Sequence, residues 1–162
     1  MINIFCRYYP LPYNGGSQKF YFDLFSELSN PMELFTHTRG VKHSNKYLKQ
    51  HNLDFIPMPR YPSSGLGLYW SAMRLLFYFF KKRRSLIKSG IHCTAIWPYG
   101  IVFYTLKKLF GINYTIFILG EEISLIVHGR GILKKIYSYI YRFIISESTH
   151  VFAYSTFVEL NV

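Results

Sequence analysis

The chain has 162 residues, half hydrophobic and a fifth aromatic, which suits one domain with a sizeable core and excludes intrinsic disorder. Its net charge of +11 implies an anionic partner: membrane lipid, nucleic acid or a phosphorylated ligand. Most aromatics fall in apolar runs, which favours lipid over the bases of a nucleic acid.

The first strand is expected over Ile2 to Tyr8. Tyr9-Pro10-Leu11-Pro12-Tyr13-Asn14 cannot continue it regularly, and Gly15-Gly16 follows. Ser17 then caps a helix to about Ser29, with Phe20, Leu24, Phe25 and Leu28 on one apolar face. A glycine pair at a helix N-terminus admits close approach of an anion to outward N–H groups. The alternative is a turn pair with no ligand.

Asn30-Pro31 stops that helix, and the alternation of Met32 to Thr38 predicts strand two. Arg39 to Asn52 reads as a polar, basic loop. Leu53 to Pro57 predicts a short third strand, closed by Pro57, Pro59 and Pro62.

From Leu68 to Lys88 the sequence predicts one long helix ending near Gly90. Its first part, including Trp70, Phe77, Phe79 and Phe80, is apolar nearly all round, and Lys81-Lys82-Arg83-Arg84 follows at once. Rings at headgroup level and cations on anionic lipid suit an interfacial helix. The competing reading is a core helix with a solvated basic end.

Ile91 to Trp97 is expected as strand four, ended by Pro98, with Gly100 helping to turn the chain. A short helix over Ile101 to Phe110, capped by Gly111, carries Lys107 and Lys108 on its polar side. Asn113 to Leu119 predicts strand five, and Gly120-Glu121-Glu122 follows it. Ser124 to Arg130 reads as a loop. Gly131 to Glu147 predicts a helix with Ile132, Ile136, Ile140 and Ile144 on one stripe. Thr149 to Tyr154 is strand six, and Ser155 begins a further helix.

Strands alternating with helices predict an α/β, doubly wound parallel sheet of about six strands, with ligands at the carboxyl ends of the strands. Glu121 and Glu122 are adjacent and, if extended, point to opposite sides, so they make a poor acid–base pair. Glu122 is the one favoured to face the cleft; the alternative is two loop carboxylates offsetting nearby Lys and Arg. Ser155 either caps the last helix or touches a ligand.

His37, His43, His51, His92, His128 and His150 have no ligand spacing, so no metal is expected. Cys6 and Cys93 read as buried free thiols in a reducing cytosol. No signal peptide is evident, and no apolar run reaches the roughly 18–20 residues that span a bilayer.

Taken in order, these features resemble the N-terminal half of a family-4 retaining glycosyltransferase of the two-domain GT-B fold. The resemblance rests on the strand, Pro-containing loop and Gly15-Gly16 before the first helix. It rests also on Trp97-Pro98-Tyr99-Gly100 after strand four and on Leu119-Gly120-Glu121-Glu122 at the place of a His-Gly-x-Glu motif. The fourth match is Val151 to Val158, a strand ending at Ser155 and followed by a helix.

The resemblance implies sugar transfer from a nucleotide-sugar, a substrate rather than a cofactor, to a sugar or lipid-linked acceptor. Gly15 and Gly16 would approach the donor phosphate. Trp97, Pro98, Tyr99, Gly100 and Gly120 would line the cleft, with Glu122 as the candidate catalytic carboxylate and Ser155 at the floor. Leu119 replaces the family histidine and has no proton to exchange. Residues 1–162 are expected to be one N-terminal-like domain without the donor-binding domain, incomplete alone, with a separate donor-domain chain as a candidate partner. An anionic membrane partner places it in the cytoplasm, on the inner face of the membrane, in cell-surface polysaccharide or glycolipid synthesis. Nucleic acid is not expected as a partner. A non-catalytic membrane- or partner-binding module of the same fold is the other reading.

Overall fold

The structure is a computed structural model that describes residues 2–6, 16–37, 53–58, 66–118 and 131–153. β1 (Ile2–Cys6) leads through α1 (Gly16–Glu27) to β2 (Met32–His37) and β3 (Leu53–Met58). Then follow α2 (Leu66–Ser89), β4 (Ile91–Cys93), α3 (Tyr99–Phe110), β5 (Tyr114–Ile118), α4 (Gly131–Ser146) and β6 (His150–Ala153). The six strands form one sheet in the order β3-β2-β1-β4-β5-β6, and every pairing is parallel. The expectation of a doubly wound α/β sheet of six strands holds.

Alternation along each strand splits the core in two. Phe5, Phe35, Cys93, Tyr114 and Ile116 face one way and pack beneath α2, α3 and α4. Ile4, Cys6, Met32, Leu34 and Leu53 face the other way, against Tyr21 and Phe25 of α1. The strands of a sheet covered on both faces need apolar residues at consecutive positions, and Ile4-Phe5-Cys6 of β1 and Leu34-Phe35 of β2 supply them in an otherwise alternating pattern.

Several boundaries differ from the sequence reading; α1 starts at Gly16, so Ser17 is its second residue and not its cap, and it ends at Glu27. β4 ends at Cys93, not Trp97. Thr94 N–H still reaches the Phe5 carbonyl at 3.0 Å, but the chain then turns at the cis Trp97–Pro98 bond into α3. α3 starts at Tyr99 rather than Ile101, since Pro98 sits at the N-cap, where a missing N–H costs little. α2 begins at Leu66, earlier than Leu68. β3 runs on through Pro57 to Met58, which an edge strand tolerates because its outer N–H groups need no partner.

Helix ends explain two glycines. Gly90 (φ 69°) ends α2, donates to the Leu86 carbonyl at 2.8 Å, and would bring a Cβ to 3.0 Å from the Asn113 oxygen. Gly111 (φ 68°) closes α3 in the left-handed region, as its sequence position predicts.

The Ile132, Ile136, Ile140, Ile144 stripe does not stay on one face. Ile144 is buried and Ile140 half-buried, whereas Ile132 and Ile136 are exposed. Four-residue steps drift about 40° each on a helix of 3.6 residues per turn, so the row winds out of the core.

Candidate functional site

A segment leaves the carboxyl end of each of the six strands. Gly15, Leu119, Gly120, Glu121, Glu122 and Ser155 fall in such segments and lie outside the described residues. Gly16 is the first residue of α1. The segment after β4 is described, and it anchors the site.

There the chain is held from three sides. The Thr94 carbonyl accepts a hydrogen bond from the Tyr21 hydroxyl of α1 at 3.2 Å. The Cys93 thiol donates to the Ala95 carbonyl at 3.0 Å. Behind it, the hydroxyls of Ser71 in α2 and Tyr99 in α3 lie 3.2 Å apart, and the Tyr99 ring sits 5.0 Å from that of Phe5. This buried pair fixes the start of α3 against α2.

Pro98, Tyr99 and Gly100 are therefore core residues, and Trp97 alone of the expected quartet presents surface. Its indole ring lies 6.0 Å edge-on from Tyr69 at the head of α2 and 4.7 Å from Tyr137 of α4. Sequence reasoning missed Tyr69, Ser71 and Tyr137, because contacts across some 30 residues leave no local signal. Gly100 allows close approach: a Cβ there would meet Ile144 Cγ2 of α4 at 2.9 Å.

The expected membrane residues of α2 divide. Trp70, Phe77 and Phe80 are exposed, at 60%, 62% and 40%. Phe79 is fully buried and leaves that set. It lies about 200° round the helix from Phe77, because each residue advances 100°. Lys81 and Arg84 are exposed. Lys82 turns inward, its ammonium 4.8 Å from the Phe35 ring centre and 3.7 Å from a Glu33 carboxylate oxygen. Arg83 stacks over Phe80 at 4.3 Å and donates to the Phe80 carbonyl at 2.9 Å.

At the far end of α3, Lys108 meets Glu147 at 2.6 Å and the Lys107 ammonium reaches the Glu147 carbonyl. The Lys108 hydrogen bond lowers the Glu147 pKa, and the same bond raises that of Lys108. This contact is exposed and contributes little to stability. The turn into β6 is closed by backbone bonds, Ser148 N–H to the Ile145 carbonyl at 3.0 Å and Thr149 N–H to the Tyr114 carbonyl at 2.8 Å.

On the α1 face a groove of about 420 Å³ runs between α1 and β6, lined by Ile4, Phe20, Leu24, Phe117 and Phe152. His92 lines it too, its Nδ1 buried without a hydrogen-bond partner among the described residues and its ring 6.2 Å from Phe117. Burial first, and the neighbouring His150 second, hold the His92 pKa below 6.5. The unfolded chain then binds a proton more readily than the folded one. Stability is expected to fall as pH drops through about 6.5, and to level off below the depressed folded value. Chemical denaturation at stepped pH should show this loss in the wild type and a flatter profile in His92→Phe. An identical slope in both would remove His92 as the cause.

Among the described residues no group of His, Cys, Asp and Glu is placed to hold a metal ion, and no helix is long and apolar enough to cross a membrane.

Parallel strands in this order, with helices on both faces, define a Rossmann-like domain. No family model matches the sequence, and neither does any curated protein. Solved structures match it in fold. LpCGTa, crystallised in complex with UDP, aligns with a TM-score of 0.61 at 9% identity, over 95% of this chain and 46% of that chain. Arabidopsis thaliana UGT89C1, complexed with quercetin, aligns with a TM-score of 0.59 at 10% identity, over 94% and 43%. Such neighbours are GT-B glycosyltransferases, and this chain has the fold of one Rossmann-like half. It spans less than half the length of either neighbour.

Proposed function

We propose that residues 1–162 are the acceptor-side half of a nucleotide-sugar-dependent glycosyltransferase that works at a membrane surface. The observation that carries this reading is the near-complete alignment of a six-stranded parallel sheet to one half of the GT-B fold. A family-4 retaining enzyme of the cytoplasmic membrane face, serving cell-surface polysaccharide or glycolipid synthesis, is the finer form of the proposal. It draws on the order of the sequence motifs. Glu122, Gly15, Gly16 and Ser155 are its proposed cleft residues, with Gly16 and Trp97 as the described members of that wall.

In this reading a second α/β half, in the same or another chain, supplies most donor contacts. Titrating residues 1–162 with uridine, guanosine and adenosine diphosphate sugars is expected to give no saturable calorimetric signal. Tight binding without a second half would overturn the division of labour between the two halves. Leu119 favours the other reading, a module that keeps the fold but not the chemistry. Leu119→His, assayed with a donor-binding half, is expected to raise transfer if that position limits catalysis.

A further inference from the structure

We infer that the outer surface of the α2–α3–α4 layer is one docking face for an anionic lipid bilayer, with α4 as its second anchor beside α2. This rests on the peripheral location proposed above and extends it to a helix that the sequence motifs did not single out.

The three helices form one layer. They share a single core cluster, and α3 contacts both α2 and α4. Each turns its buried side to the sheet, so their remaining sides form a common outer surface. On α2 that surface shows Trp70, Met73, Phe77 and Phe80, at three- and four-residue steps. On α4 it shows Ile132, Ile136, Tyr139 and Phe143, spaced four, three and four, with Ile132 74% exposed. Leu109 adds an exposed aliphatic from α3. Steps of three and four hold these side chains to one line along each helix. Tyr139 and Phe143 pack on each other at 4.6 Å, and Phe143 reaches Tyr104 of α3 at 6.4 Å. The apolar line of α4 thus continues onto α3.

Charge says what covers this face. α2, α3 and α4 contain six, two and three Lys or Arg residues and no Asp or Glu. On α4, Lys135 and Arg142 are exposed and stand one heptad apart beside the apolar line. Arg74, Lys81 and Lys88 do the same on α2, and Arg84 is exposed between the last two. The opposite face differs: α1 carries exposed Asp23 and Glu27. The three helices of one side carry cations alone, with Glu147 just past α4 paired to Lys108, whereas the helix of the other side is mixed. An apolar line flanked by cations fits the boundary between acyl chains and anionic headgroups. Nucleic acid would use the cations but has nothing to pair with exposed Ile132, Ile136, Met73 and Leu109, since bases stack on rings and guanidinium planes.

The docked orientation follows from the connections. α2 and α4 each enter from the carboxyl-end side of the sheet, so Trp70 and Ile132 lie toward the edge where Trp97 joins the two helices. The apolar ends of both anchors then meet the bilayer beside the proposed cleft, where a lipid-linked acceptor would present its head.

The test is co-flotation of the full chain with vesicles of phosphatidylcholine alone and of phosphatidylcholine mixed with phosphatidylglycerol. Binding is expected only with the anionic lipid. Ile132→Ser with Ile136→Ser is expected to weaken it about tenfold. Lys134→Gln, Lys135→Gln and Arg142→Gln together are expected to weaken it further, at roughly fivefold for each charge. All five positions lie outside the core, and far-ultraviolet circular dichroism checks the fold of both variants. Wild-type binding by both α4 variants, alongside loss in Trp70→Ser with Phe77→Ser, would sink the second anchor and leave the peripheral location standing. No binding to either vesicle would sink both. Binding to a mixed-sequence oligonucleotide that outcompetes anionic vesicles would overturn lipid as the partner. None of these results alters the donor titration, so failure here is separable from failure of the sugar-transfer reading.

Discussion

Phe79→Ala is expected to lower the melting temperature of the domain by about 10 °C or more, while Phe77→Ala leaves it within a degree or two. The two residues sit in the same helix, two positions apart, in an unbroken apolar run. Phe79 is wholly buried and Phe77 mostly exposed. The Phe79 ring lies 5.1 Å from Phe35, 5.4 Å from Phe103 and 6.4 Å from Phe5, so it joins α2 to α3, β1 and β2 at one point. Truncating such a ring removes transfer free energy and leaves a cavity, about 3–5 kcal/mol together. A domain of this size has about 5–15 kcal/mol in total and moves by about 2–4 °C per kcal/mol. Thermal unfolding followed by circular dichroism checks the pair. Equal melting of the two variants would mean that α2 does not present these opposite faces. The same comparison bears on docking: Phe77→Ala should weaken vesicle binding with no loss of stability, because that ring contributes to the outer surface and not to the core.

Much of the architecture was legible because the two faces of this sheet impose simple patterns. Val, Ile and aromatic runs bounded by glycine and proline marked the strands, and Phe20, Leu24, Phe25 and Leu28 marked α1. Three things were not legible. First, a helix apolar on all sides carries no phase, so Phe79 could not be told from Phe77 until β1 and β2 were set beneath it. Second, Thr94 to Trp97 is apolar enough to read as strand. Its exit from the sheet depends on the turn at Pro98 and on the tertiary bond from Tyr21. Third, the four isoleucines of α4 suggested one stripe, although their spacing winds round the helix. The line at 132, 136, 139 and 143 mixes Ile, Tyr and Phe, so it lacks the single-residue repeat that the isoleucines offer. For the candidate site, local motifs located Trp97 but not its partners. Tyr69 and Tyr137 belong to other elements, and only the fold brings them together.

Gly100→Val is expected to destabilise the domain by about 2–3 kcal/mol, in contrast to a smaller change for Gly100→Ala. Glycine within a helix ordinarily costs about 1 kcal/mol relative to alanine, so something must oppose replacement here. That opposition is geometric. A Cβ at position 100 would stand 2.9 Å from Ile144 Cγ2, 3.2 Å from Ile144 Cδ1 and 3.3 Å from Ile96 Cγ2. Ile144 is buried and β-branched, and has few rotamers into which to retreat. Alanine gains helix propensity and loses packing, and the two terms nearly offset. Valine adds two methyl groups to the clash, and its own β-branching also works against the helix. The relief available is for α4 to move outward from α3. Such a shift would also carry Tyr137 away from Trp97 and tilt the exposed line of Ile132 and Ile136. Gly100→Val should therefore lower both stability and vesicle partition, and the second site change Ile144→Ala should restore part of each. A double-mutant cycle in urea measures that coupling directly. Additive effects would show that Gly100 and Ile144 do not press on each other, and that the spacing of α3 and α4 is set elsewhere.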